Sequence, residues 1–229
     1  ATIRTSVEGG EAFLDDEEYC ALVADLAPLV GGVDVEISRD GAHALIERAH
    51  AAGAIVVASF HDFEATPGDN QLAEVLAGMN YAGADVLKFA CMAHSATDAA
   101  RVLGAQAWAH EAYDRPVIGI SMGPNGAPTR LVGSALGSAA TFATLPGAEG
   151  SAPGQFTVEQ VRAVLDIVEG SEVSSFSACA GASLEAGVRT SGTHLGSLPQ
   201  KSHAIRLPEF FEESANVGIA TTVFQSVKG

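Results

Sequence analysis

The sequence predicts an α/β protein built on a parallel sheet, and three observations carry that prediction. Short β-rich runs alternate with amphipathic, helix-like segments along most of the chain. Strand starts recur roughly every 22 to 32 residues, which is the rhythm of βαβ units. At 229 residues, 47% of them hydrophobic, the chain has the size and apolar content of one large domain such as a (β/α)8 barrel.

In order, the predicted strands are Thr2–Thr5, Val33–Ser38, Ile55–His61, Asp85–Cys91, Val117–Met122 and Ala139–Ala143. The amphipathic segments are Asp16–Val30, Ala42–Ala52, Asp69–Ala82, Ser95–Ala112 and Thr157–Glu169. About six βα units are therefore expected. A closed barrel needs eight, whereas an open doubly wound sheet can stop at six. The doubly wound alternative usually carries a Gly-rich phosphate loop after an early strand. Glu8-Gly9-Gly10-Glu11 is not G-x-G-x-x-G, and no G-x-x-x-x-G-K-[ST] occurs. An incomplete barrel over residues 1–170, carrying any catalysis, is the expectation. From Ser171 the rhythm fails, and 171–229 reads as an appended segment whose order the sequence does not fix.

Composition excludes several classes. Twelve basic against 28 acidic residues give a formal charge of −16, which argues against nucleic acid and anionic membranes as partners. No run of ~18 uncharged apolar residues is present to span a bilayer. The first residues show no charged leader with an apolar core. Cys20, Cys91 and Cys179 lie in separate segments, suggesting neither a disulfide framework nor a metal cluster. A reducing cytoplasm is the expected setting. An anionic substrate would be repelled by the overall field and would need local cations.

Lys88 stands out chemically. It is one of three lysines and sits inside the apolar run 84–92. A lysine buried in a strand is costly unless paired or neutral, and a neutral amine attacks carbonyls. The bland alternative is an edge lysine that snorkels to water. In a parallel barrel, functional groups gather at the carboxyl ends of the strands. That rule selects Arg4 and Glu8 at the first strand, His61 at the third, Lys88 in the fourth and Met122 at the fifth. It also selects Arg130 in the following loop and the Gly/Pro-containing stretch Ser151–Gln155 as a mobile cover. Strand alternation puts Val86, Lys88 and Ala90 on one face, with Leu87, Phe89 and Cys91 toward helices. Val57, Ser59 and His61 share a face likewise, leaving Phe60 outward. Taken singly, His61 reads rather as a strand-end histidine, Arg130 as a surface charge and Glu8 as a solvated loop acid. No histidine has the spacing of a metal site.

The ordered set of segments resembles the type I 3-dehydroquinate dehydratases. It comprises Ile3-Arg4-Thr5 with Glu8-Gly9-Gly10-Glu11, Val33-Asp34-Val35-Glu36, Ser59-Phe60-His61-Asp62-Phe63 with Thr66-Pro67, and Gly83–Lys88. Thr129-Arg130-Leu131, Gly137–Phe142 and Ser151–Gln155 complete it. The resemblance implies the TIM-barrel fold and a lysine Schiff base without metal or diffusible cofactor. By it, Lys88 would form an imine with the C3 ketone of 3-dehydroquinate, and His61 would act as general acid and base. Glu8 would orient His61, Arg130 would clamp the substrate carboxylate, and Ser151 and Gln155 would close over it. Arg4 would contact the hydroxyl-bearing side of the ring, and Met122 would line the pocket.

One departure accompanies the resemblance. The family begins with two further βα units, the second bearing a Glu-x-Arg motif; this sequence starts at what would be the third strand. Val35–Asp40 resembles that motif only superficially. A fragment of a longer protein is the favoured explanation, with a tail that patches the gap, or a homodimer sharing strands, as the others. Competing functions are a class I aldolase-type barrel enzyme and a relative, intact or truncated, that binds the ligand without turnover.

Overall fold

The structure, a computed structural model, describes residues 1–145, 147, 150 and 152–170. Four strands form one parallel sheet in the order β1 (Gly32–Glu36), β2 (Ile55–Asp62), β3 (Val86–Met92) and β4 (Val117–Met122). Parallel neighbours need a crossover. Here α2 (Ala42–Ala51), α3 (Asp69–Tyr81) and α4 (Ala96–Ala112) supply the three crossovers. An earlier helix, α1 (Asp16–Leu26), packs beside α2. Two short helices, α5 (Gly123–Gly126) and α6 (Thr129–Val132), follow β4, and α7 (Val158–Gly170) ends the described chain. Among the described residues no helix is long and apolar enough to cross a membrane.

Local sequence explains where these helices begin. Asp15 caps α1 by accepting from Glu18 N–H at 2.8 Å, while the Glu18 carboxylate accepts from Asp15 N–H at 3.1 Å. Ser95 and Asp98 make the same reciprocal pair at the start of α4. Each satisfies backbone donors that the first helical turn leaves free.

Two of the expected six strands do not form. Residues 1–4 have no regular structure, and Thr5 makes one isolated bridge, to Ala12. This segment runs beside β1, where Asp34 N–H donates to Ala1 C=O at 2.9 Å. The Ala1 ammonium donates to Gly32 C=O, Thr5 C=O accepts from Glu8 and Gly10 N–H at 3.1 and 2.8 Å, and Thr5 N–H and Oγ1–H both donate to the Glu36 carboxylate, at 2.8 and 2.7 Å. A segment so held builds no ladder. Ala139–Ala143 behaves similarly beside β4. Ala139 N–H donates to Val117 C=O at 2.8 Å and Ser138 makes an isolated bridge to Val117, while the Ser138 hydroxyl donates to Ala140 C=O and the Thr141 hydroxyl to Arg130 C=O. The proposed segment 171–229 lies outside the described residues.

The sheet buries two different faces. Val33, Val35, Val56, Ala58, Leu87, Phe89, Cys91 and Val117 pack with helix residues such as Leu45, Ile46, Leu72, Leu76 and Val102. Val86, Ala90, Ile118, Ile120 and Met122 pack on the opposite face with Ala140. The expected parity holds on β2 and β3, including Phe60 on the helix side and Val57 on the other.

One polar group ties the helical layer to the region after β4. Gln106 on α4 is fully buried. Its Oε1 accepts from Gly119 N–H at 2.9 Å, and its Nε2 donates to Gly133 and Leu136 carbonyls at 3.0 and 3.1 Å. Gly119 is required beside it, since a Cβ there would sit 2.7 Å from the amide oxygen. Gln106→Leu is expected to destabilise the fold by about 2–5 kcal/mol, because three buried backbone groups lose their partner. Urea unfolding measures this; a loss below about 0.5 kcal/mol would contradict it.

Candidate active site

Strand register builds the site before any contact is considered. Glu36, Ser59, Lys88 and Ile118 are register partners across β1 to β4, so their side chains share one level of one face. One parity step further along are His61, Ala90 and Ile120. Asp34 on β1 occupies the same face one step earlier. The register neighbours of the pair, Ser59 and Ala90, are both small and buried.

Lys88 is 8% exposed. Its Nζ lies 2.6 Å from Nε2 of His61 and 5.5 Å from the ring centre of Phe142. Among the described residues it forms no ion pair. Burial drives its pKa down to about 8, partly opposed by the more distant Asp34 charge. Near physiological pH roughly a tenth to a fifth of this amine is therefore neutral, far more than for an ordinary lysine. The His61 ring is held well below the usual imidazole range, first by burial and then by the Lys88 and Arg4 charges. Two bases 2.6 Å apart cannot both hold a proton cheaply.

Behind His61 stands an ionic network. Nδ1 of His61 lies 2.8 Å from Oε2 of Glu8, a carboxyl that is 2% exposed. The same oxygen accepts from Arg4 Nη1 at 3.0 Å, and Oε1 accepts from the Ser38 hydroxyl at 2.7 Å. Burial pushes Glu8 up to about 7, while the Ser38 bond and the Arg4 charge pull it down. An ionised carboxylate only accepts, so with Glu8 charged the Nδ1 of His61 carries the proton. Nε2 is then the free base, facing Lys88. Glu8 reaches this position from a 3₁₀ turn, Ser6–Glu8, closed by Gly9 at φ 80°. That left-handed conformation suits glycine, and a Cβ there would also strike the Phe63 ring at 2.4 Å.

Arg4 is the hub. Besides Glu8 it donates to Asp34 at 2.8 Å, Glu36 at 3.1 Å and Ser59 Oγ at 3.0 Å. Ser59 in turn donates to Asp34 at 2.6 Å. Arg39 approaches Glu36 at 3.3 Å and lies over the Tyr19 ring. Two guanidinium groups thus meet four carboxylates, Arg39 also pairing with Asp16 at 2.9 Å, which explains how the strand acids Asp34 and Glu36 survive burial.

Arg130, on α6, is 3% exposed. Its Nη2 donates to Pro153 C=O at 3.3 Å, and its Nε has no partner among the described residues. Burial without a neighbouring carboxylate lowers its pKa to about 10. It also contributes to lowering Lys88, so the two cations face one region. Pro153 C=O additionally accepts from Gly123 N–H, docking the 152–155 turn onto α5. Met122 is fully buried at the end of β4, in register with Met92. Gln155 lies in the same turn, while Ser151 lies outside the described residues.

Sequence reasoning thus placed Lys88, His61, Glu8 and Arg4 in what is one continuous chain of contacts. It missed Asp34, Glu36, Ser38 and Phe142 as neighbours. The alternation Val33-Asp34-Val35-Glu36 was the available signal for the two acids, because period two puts both on one face.

Comparison with known proteins agrees with this geometry. Residues 1–172 match the family model for type I 3-dehydroquinase. The 3-dehydroquinate dehydratase of Klebsiella pneumoniae strain 342 is 41% identical over 172 residues, covering 73% of this chain and 68% of that protein. That of Listeria welshimeri is 41% identical over 171 residues, with 73% and 67% covered. Among solved structures, 3-dehydroquinate dehydratase from Geobacillus kaustophilus superposes with a TM-score of 0.69 at 32% identity, over 75% of this chain and 67% of that one. The type I enzyme from Clostridium difficile, solved with covalently modified comenic acid, gives 0.68 at 34% identity, over 74% and 68%. The fold is of the TIM-barrel family, and the chain belongs to the type I 3-dehydroquinase family.

Proposed function

We propose that this protein converts 3-dehydroquinate to 3-dehydroshikimate and water through a Schiff base on Lys88. The observation that carries the reading is the buried Lys88 amine, unpaired by any carboxylate among the described residues and 2.6 Å from the His61 imidazole. The family membership supports the substrate, and the covalently modified ligand in the Clostridium difficile relative fits a nucleophilic residue in such sites.

The proposed steps assign each of these groups a task. Neutral Lys88 adds to the C3 ketone, and loss of water leaves a protonated imine. The imine withdraws electrons from C2, making its C–H acidic enough for an imidazole. Nε2 of His61 accepts that proton, while Nδ1–H stays bonded to Glu8 and spreads the developing charge. The same proton then goes to the C1 hydroxyl, which departs as water and leaves the ring double bond. Hydrolysis of the imine releases the enone and restores Lys88. One proton carried by one ring therefore serves both halves of the elimination.

Arg130 is the proposed clamp for the substrate carboxylate. Among the described residues its buried fork lacks a partner at Nε, and a carboxylate would satisfy it in the bidentate manner that guanidinium favours. This offsets locally the repulsion of a −16 chain. Ser151 and Gln155 are the proposed cover, Met122 a lining residue and residues 1–170 the catalytic unit. Arg4 differs from the simplest expectation, because three carboxylates and Ser59 already engage it. Its proposed main task is to anchor Glu8. A cytoplasmic setting fits the free thiols of Cys20 and Cys91.

Turnover is read as the rise of conjugated-ketone absorbance when 3-dehydroquinate is added. Lys88→Ala is expected to abolish that rise while calorimetry still detects ligand; substantial activity in this variant would remove the imine. His61→Ala should slow dehydration by about 10²–10⁴-fold, and an unchanged rate would take the ring out of proton transfer. The free protein offers an independent check on the amine. Carbamylation of Lys88 by cyanate, mapped by peptide mass, should rise through a midpoint near pH 8. A midpoint above about pH 10, that of an ordinary lysine, would mean the amine is not held neutral.

A further inference from the structure

Ser38 has no part in the scheme above, yet its hydroxyl makes the bond that fixes the far oxygen of Glu8. It lies two residues beyond the end of β1, in the turn that Arg39 N–H closes onto Glu36 C=O at 3.2 Å, and Ile37 N–H, bonded to Ser59 C=O at 2.9 Å, ties that turn to β2. We propose that Ser38 is a positioning residue for the reaction: by holding Oε1 of Glu8, it aims Oε2 at Nδ1–H of His61 and leaves Nε2 as the base. The assignment rests on the proposed proton-transfer role of His61.

The argument turns on how a buried carboxyl chooses between two forms. Glu8 faces Arg4 from the N-terminal segment, Asp34 and Glu36 from β1, His61 from β2 and Lys88 from β3. Oε2 accepts from both Arg4 and His61, whereas Ser38 is the partner of Oε1. Burial and the two strand acids favour the neutral carboxyl; Ser38 and Arg4 favour the ion, and the balance stands at about 7. A hydroxyl bonded to a carboxylate stabilises the charged form, so its removal tips that balance upward. A protonated Glu8 can donate to Nδ1, which moves the ring proton to Nε2 and removes the base. A carboxyl released at Oε1 is also free to turn about its last bond.

Ser38 is itself exposed, although the oxygen it holds belongs to a carboxyl that is 2% exposed. Removing one exposed hydroxyl spares the core, so the variant is expected to fold. Arg4 remains to hold Oε2, which makes the expected effect pH-dependent rather than a uniform loss.

The test compares wild type, Ser38→Ala and Ser38→Thr in two measurements. In the first, the acidic limb of the kcat profile is expected to move up by about one pH unit in Ser38→Ala. Activity would fall about tenfold below the limb and stay near wild type well above it, and Ser38→Thr would restore the profile. The second uses ¹⁵N shifts of the His61 ring, which report the tautomer without turnover. The Nδ1–H form should give way at a higher pH in Ser38→Ala than in wild type. Superimposable profiles and tautomer curves, or equal activity loss at all pH values with a lowered melting temperature, would overturn the proposal. Wild type without turnover would instead sink the proposed reaction, and the ring shifts would still decide whether Ser38 sets the tautomer.

Discussion

The contact between Lys88 and His61 constrains everything around it. Two nitrogen bases at 2.6 Å inside a buried face cannot both be charged, so one holds a lone pair ready. The sheet brings this contact within reach. Lys88 and His61 lie on adjacent strands, same face, one parity step apart in the ladder. Reactivity here is a consequence of register, achieved by side chains on rigid strands rather than by a flexible loop.

The carboxylates are arranged around that pair without touching the amine. Asp34, Glu36 and Glu8 are all spent on Arg4, Arg39, Thr5, Ser38, Ser59 and His61. Had one of them reached Lys88, the amine would be a stable ammonium and a poor nucleophile. Arg4 therefore acts against the acids as much as for Glu8. Arg130 is the counterpart on the other side of the site, a buried cation left without a carboxylate among the described residues. One cation saturated and one without a carboxylate among the described residues is the polarity that the proposed clamp on an anionic substrate requires.

Much of this was legible in the residues themselves. Four strands and their in–out alternation follow from period-two patterning, which is local and survives any tertiary arrangement. That is why Lys88 and His61 were placed together, and why Leu87, Phe89 and Cys91 were placed under the helices. The two outer segments were not legible in the same way. Thr2–Thr5 and Ala139–Ala143 have strand-like composition, but a strand also needs a continuous ladder, and among the described residues these segments make isolated bridges, with the Glu36 carboxylate taking the Thr5 donors. The acidic cluster escaped for a related reason. Arg4, Asp34, Glu36 and Ser59 come from three separate segments, and only the return of the N-terminal segment along β1 brings them into one network.

The claim that a neutral strand amine attacks a ketone is tested most directly by trapping. Borohydride added in the presence of 3-dehydroquinate, followed by peptide mass mapping, should leave one reduced adduct, on the peptide that carries Lys88. An adduct confined to Lys201 or Lys228, or none at all while enone continues to accumulate, would contradict the account.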